Sequence, residues 1–459
     1  MVFSSLFFLF YFLPVFWLLY LAALPKGRNL VLFLASLFFY AWGEPEYVWL
    51  LLFSAFFDYC CGRMIGYFCR IEKNGLSRAV LVFSLTVNLG ILGVFKYADV
   101  WPLPVGISFY TFQTMSYTID VFRRKVRPQK DFIAFGAFVT MFPQLVAGPI
   151  VSYRCVENEL KGRQISGKGL SEGWRRFVIG LGKKVILANQ AGALFELFLS
   201  EGKTPPGAAL LWAAVICFGF QIYFDFSGYS DMASGLGRMM GFSFPENFHY
   251  PYTAQSVTEF WRRWHMTLSG WFREYVYIPL GGNKKGKRRQ IFNLLIVWSL
   301  TGIWHGAAWN FLLWGLWFFA LLVLEKFWLK EKLEKLPALA KRAWTLGAVF
   351  AGWALFCGPD LAAARNLGGA GGIVSVCAVL LGRNGWGWDL LLTYELVSQA
   401  ALFAALIAGS TALPAALGRR IVRCRGGAFA ETAFLLAVFL LSVAFLVEDS
   451  YNPFLYFRF

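Results

Sequence analysis

FWRRWHMTLSGWF (260–272) and IVWSLTGIWHGAAWNFLLW (296–314) hold two of the chain's three histidines, each inside tryptophan-rich apolar sequence. His265 stands between Trp264 and Met266, and His305 between Trp304 and Gly306. The sequence joining them, EYVYIPLGGNKKGKRRQ (274–290), is a turn followed by a dense basic run. An ionisable side chain in sequence that reads as lipid-buried is costly to keep, so each of the two histidines is a candidate for function.

Outward from this stretch, the composition sets the class. Of 459 residues 58% are hydrophobic and only 15% charged, and mean hydropathy is +0.55. Soluble domains are near half apolar and a quarter charged. Long continuous apolar runs point to an all-α polytopic membrane protein and away from a β-barrel, whose strands alternate. The formal net charge of +17 comes from Lys and Arg clustered in short loops, as the positive-inside rule expects, and argues against nucleic acid as a partner. Eight scattered cysteines show no metal-ligand spacing, so no metal is expected.

Taken in order, 3–24 reads as a first retained span followed by KGR (26–28), which places the N-terminus outside. Runs at 29–42, 47–61 and 80–95 follow. The stretch 100–122 is a polar-bearing, proline-broken helix, and 132–150 ends in a re-entrant FPQLVAGPI. The basic region 152–186 reads as interfacial. About eleven crossings are expected, in a single integral-membrane domain with N-terminal helices (1–99), a catalytic core (100–325) and C-terminal helices (326–459). No internal repeat is visible, which counts against inverted-repeat transporters.

At helical spacing Trp298, Gly302, His305 and Trp309 share a face, and Gly302 admits a neighbouring backbone. Burial disfavours a charged imidazole, which suits His305 to act as a neutral base. His265 falls with Trp261 and Leu268 on one face of an amphipathic helix. Asp225 and Asp231 bracket a small-residue turn, a place to orient a histidine, bind an ion or, most commonly, cap a helix. Lys284 and Lys285 begin a basic run that serves as a topology signal or as a receiver of phosphates. P-loop, GxSxG, HExxH and dinucleotide fingerprints are absent.

GISFYTFQ (106–113), FPQLVAGPI (142–150), YFDFSGYSDMA (223–233), NFxYPY (247–252), FWRRWHMTLSGWFREYVYIPLGGN (260–283), LTGIWHGAAWNFLLWG (300–315) and NPFLYFRF (452–459) together resemble the membrane-bound O-acyltransferase (MBOAT) family. The likeness is greatest to its bacterial branch of alginate O-acetylation, peptidoglycan O-acetylation and teichoic-acid D-alanylation proteins. That resemblance implies a ring of tilted helices around a central tunnel in the bacterial cytoplasmic (inner) membrane. It identifies His305 with the family's histidine in the WHG motif and His265 with the branch's second histidine. It also implies acetyl-CoA as donor, no permanently bound cofactor, a polysaccharide acceptor and an exported SGNH-type acetyltransferase as partner.

The expected mechanism has His305 deprotonate an acceptor hydroxyl while His265 polarises the thioester carbonyl or positions the acceptor. Trp261, Trp304 and Trp309 exclude water, and Asp225, Lys284 and Lys285 bind substrate. D-alanyl or other acyl transfer to a cell-wall polymer is the alternative within the family. A proton-coupled transporter without bond chemistry is the alternative outside it.

Overall fold

A computed structural model describes residues 1–98, 100–201, 206–365, 372–388, 390–448 and 454–455. These residues form helices and connecting turns, with no strand among them. Five helices are long and apolar enough to cross a membrane: Val48–Arg70, Asn74–Tyr97, Ala208–Met239, Trp309–Glu334 and Gly427–Glu448. Two further pairs pass together but are bent, Ala338–Phe356 with Gly358–Ala364 by 58° and Leu390–Ser398 with Ala400–Gly409 by 65°. The five to seven full-length spans among the described residues are fewer than the eleven crossings expected. Several apolar runs make helices too short to span alone, such as the nine residues Phe132–Thr140, because Met141 leaves the helical conformation (ψ 106°) and Pro143 starts a separate short helix, Phe142–Leu145. Of the terminal motif, only Phe454 and Leu455 lie within the described residues.

The chain divides into two compact units. One comprises Met1–Leu181, Gly228–Glu246 and a stretch from Val443; the other comprises Gly182–Ser227 and Asn247–Ser442. In the first, α1 (Leu13–Ala22) and α2 (Arg28–Gly43) precede α3 (Val48–Arg70), α4 (Asn74–Tyr97) and α5 (Ile107–Phe122), and the last three pack on one another. Their contact encloses Asp58, whose carboxylate accepts from Ser84 Oγ at 2.7 Å and Asn88 Nδ2 at 2.9 Å. A buried carboxylate is tolerable only with such donors. α5 is polar along its length yet buried, as its serines, threonines and Gln113 require if they are to avoid lipid.

α6 (Ala208–Met239) is a continuous helix of 32 residues, not a span ending in a turn at 225–231. Cations make both carboxylates tolerable there. Lys184 Nζ lies 2.6 Å from Asp225 Oδ1, and Arg176 pairs with Asp231 at 2.9 Å.

The second unit carries α7 (Val257–Arg263), α8 (Met266–Phe272), α9 (Gly286–His305), α10 (Trp309–Leu324) and α11 (Ala338–Phe356). α9 and α10 cross at glycines. A Cβ on Gly302 would stand 2.5 Å from Phe311 O, and one on Gly315 2.4 Å from Trp298 O. α10 packs in turn on α11.

Candidate active site

Both histidines lie in the second unit, and both are buried. The helix expected to carry Trp261, His265 and Leu268 on one face is broken. α7 stops at Arg263, α8 starts at Met266, and His265 sits at the joint with φ 42° and ψ 52°. A left-handed backbone at a residue with a Cβ is strained and is held by its surroundings. Here the surroundings are Asn247. Its carbonyl accepts the N–H of Met266 at 2.9 Å, and its Oδ1 accepts from the N–H of Thr267 at 3.3 Å and Thr267 Oγ1 at 2.8 Å.

The same Oδ1 lies 3.0 Å from His265 Nδ1. The backbone N–H of Thr267 can only donate, so the atom it meets is the amide oxygen, and His265 Nδ1 is the protonated nitrogen. The lone pair is therefore on Nε2. Burial pushes this imidazole down from 6.5 to about 3, since the charged form has lost its water. Phe226 packs edge-on against the ring at 4.6 Å between centroids.

Sequence reasoning passed over Asn247. It heads the NFHYPY run, but nothing in that run ties its amide to His265, eighteen residues on. Upstream of the joint, the buried carboxylate of Glu325 caps α7. It accepts the N–H groups of Val257 at 2.8 Å and Thr258 at 3.0 Å, and the indole N–H of Trp344 at 3.0 Å.

His305 is the last residue of α9, and Gly306 is already extended. The helix end means that Trp309 does not continue the face of Trp298, Gly302 and His305. Trp309 begins α10 and is 76% exposed, so it shields nothing at the imidazole. The aromatic wall of His305 is made instead by Trp304, Trp314 and Phe356, with ring centroids at 4.9, 5.0 and 5.4 Å.

Trp304 also faces His265 at 6.3 Å, so both imidazoles border one indole. Trp261 joins the same cluster through Trp314 at 5.5 Å and Trp298 at 4.7 Å. The indole N–H groups of Trp261 and Trp314 are buried and have no acceptor among the described residues.

Asp225 is engaged by Lys184 in a pair whose side chains are each under 5% exposed. Lys284 and Lys285 are exposed at the start of α9, the length of a 20-residue helix away from His305, or about 30 Å.

Imidazoles enclosed by aromatic rings have the chemistry that acid–base catalysis requires. The chain belongs to the membrane-bound O-acyltransferase (MBOAT) family, whose model matches residues 6–358. It is 38% identical to a protein of Pseudomonas putida described as "Probable alginate O-acetylase AlgI", over 81% of this chain and 80% of that one. The Azotobacter vinelandii protein of the same description is 34% identical, with both chains covered end to end. A Helicobacter pylori peptidoglycan O-acetyltransferase is 35% identical over 69% of this chain and 68% of its own. The chain is thus an O-acyltransferase and a polytopic membrane protein.

Proposed function

We propose that the chain transfers an acetyl group from acetyl-CoA toward hydroxyls of an exported polysaccharide of the alginate type. The relatives described as probable alginate O-acetylases support the acceptor class. The donor enters from the cytoplasm, and the enzyme lies in the bacterial inner membrane with its N-terminus outside, an orientation supported by the basic loops at 26–28 and 123–130. An exported acetyltransferase of the SGNH-hydrolase type receives the acetyl group or carries it onward. Exposed Lys284 and Lys285 capture the donor's phosphates from water, and take no part at the histidines.

His305 removes the proton from an acceptor hydroxyl as its oxygen attacks the thioester carbonyl carbon. The C–S bond then breaks, and the thiolate takes that proton back from the imidazolium, giving an ester and free CoA thiol. His265 is a poor donor to the carbonyl, because its one N–H is spent on Asn247. Its Nε2 lone pair suits it to hold the acceptor's hydroxyl, and its low basicity keeps it from taking the proton. The carbonyl oxygen is polarised by the indole N–H of Trp314, beside His305. Trp261 and Trp304 keep water from the thioester.

The observation that carries this reading is the Asn247–His265 contact within a cluster that also walls His305. Purified protein given labelled acetyl-CoA and an oligosaccharide acceptor tests it. His305→Ala is expected to lower ester formation by roughly 10²–10⁴-fold at an equal amount of folded protein. A rate near that of the unaltered protein would remove His305 from the chemistry.

A further inference from the structure

In the first unit, far along the chain from either histidine, two arginines meet around one tyrosine. Arg163 Cζ lies 5.5 Å from the Tyr20 ring centroid and Arg28 Cζ 6.0 Å from it. Arg163 is fixed on all sides. It stacks on Phe242 at 4.4 Å, donates from Nε to Tyr20 Oη at 2.7 Å, and donates from Nη1 to Asn29 Oδ1 at 2.7 Å and to Glu159 O at 3.3 Å. Tyr20 in turn donates to Met240 O at 3.1 Å, and Asn29 to Leu160 O at 2.9 Å. Arg28 makes one long bond, from Nη1 to Arg163 O at 3.5 Å.

Two guanidiniums thus border one tyrosine ring. Neither pairs with a carboxylate among the described residues, and the nearby Glu159 carboxylate is turned to the N–H of Ser243. Arg163 Nη2 and Arg28 Nε are buried donors that no protein acceptor takes. Arg28 also opens α2, whose first turn contains no acidic residue and whose dipole adds positive potential at the same place. Two positive groups, orphaned donors on both and a helix N-terminus together call for an anion with several acceptor oxygens.

We propose that Arg28 and Arg163 form a binding site for a phosphate group. The surroundings favour a phospholipid headgroup as its source. Leu21 and Leu24, which follow Tyr20 on the chain, are 50% and 79% exposed, so acyl chains have apolar surface to lie on near the two arginines. A soluble phosphate ester offers the same oxygens without needing that surface.

Full-length protein in detergent, titrated with phosphatidylglycerol, phosphatidylcholine or CoA and read by native mass spectrometry, tests the site. Phosphatidylglycerol is expected to bind, and Arg28→Gln to weaken it about tenfold. Arg28→Gln is the informative variant because Arg28 supports so little of the fold; Arg163→Gln should act alike if the protein stays folded. Binding of CoA, with the same sensitivity to Arg28→Gln, would identify a soluble phosphate as the source. Binding of all three ligands unaffected by Arg28→Gln, or of none, would overturn the proposal.

Discussion

Asn247 Oδ1 stands 3.0 Å from His265 Nδ1, and that contact fixes which nitrogen of the imidazole holds the lone pair. The amide also accepts from both donors of Thr267, so it cannot turn to offer its NH₂ instead. Removing the oxygen with Asn247→Ala is expected to lower acyl transfer by roughly ten- to a hundredfold, the usual scale for losing a group that orients a functional histidine. Asn247→Asp tests the same contact in the opposite sense. A carboxylate on Nδ1 stabilises the imidazolium and raises the His265 pKa. The pH–rate profile of this variant should then gain an acid limb. Identical profiles for Asn247→Asp and the unaltered protein would mean that the contact does not govern His265.

The low pKa of His265 also links stability to pH. The folded imidazole protonates only near 3, whereas an unfolded one does so near 6.5. Between those values the unfolded state binds more protons, so folding is disfavoured there. The contribution of His265 is therefore complete above 6.5 and is lost progressively as pH falls from 6.5 toward 3. His265→Asn removes the titrating group while keeping a residue that accepts the left-handed backbone. Thermal unfolding in detergent, compared at neutral and acidic pH, should show a smaller acid-induced loss for His265→Asn. Equal losses would place the acid sensitivity elsewhere.

Much of the scaffold was legible from hydropathy alone, because lipid demands long apolar runs whatever the tertiary packing. Gly302 was legible too. Its missing Cβ marked a close crossing, and Phe311 O occupies that space. What periodicity missed were the breaks. A left-handed histidine carries no composition signal, so the 260–272 run read as one helix until the turn at His265 divided it. The end of α9 at His305 likewise removed Trp309 from the cluster that sequence spacing assigned it to. The carboxylates of α6 erred in the other direction. Asp225 and Asp231 looked like turn residues because the lysine and arginine that neutralise them lie more than forty residues away along the chain. Asn247, for its part, is an ordinary amide in sequence and gains its role only where the fold brings it to an imidazole.

Trp314 offers a test of how the thioester carbonyl is activated. Its ring packs at 5.0 Å from His305, it is 1% exposed, and its indole N–H has no acceptor among the described residues. A buried donor without a partner costs roughly 1–3 kcal/mol, which a tetrahedral oxyanion would offset when it forms. Trp314→Phe keeps an aromatic ring against His305 and removes the N–H. Loss of one such donor is expected to lower kcat by about a hundredfold with little change in KM, because the bond strengthens only as charge develops on the oxygen. The smaller ring also leaves a void, so melting temperature must be followed alongside. A loss that appears in KM rather than kcat, or one matched by the fall in folded protein, would show Trp314 to be packing for His305 and not a donor to the reacting carbonyl.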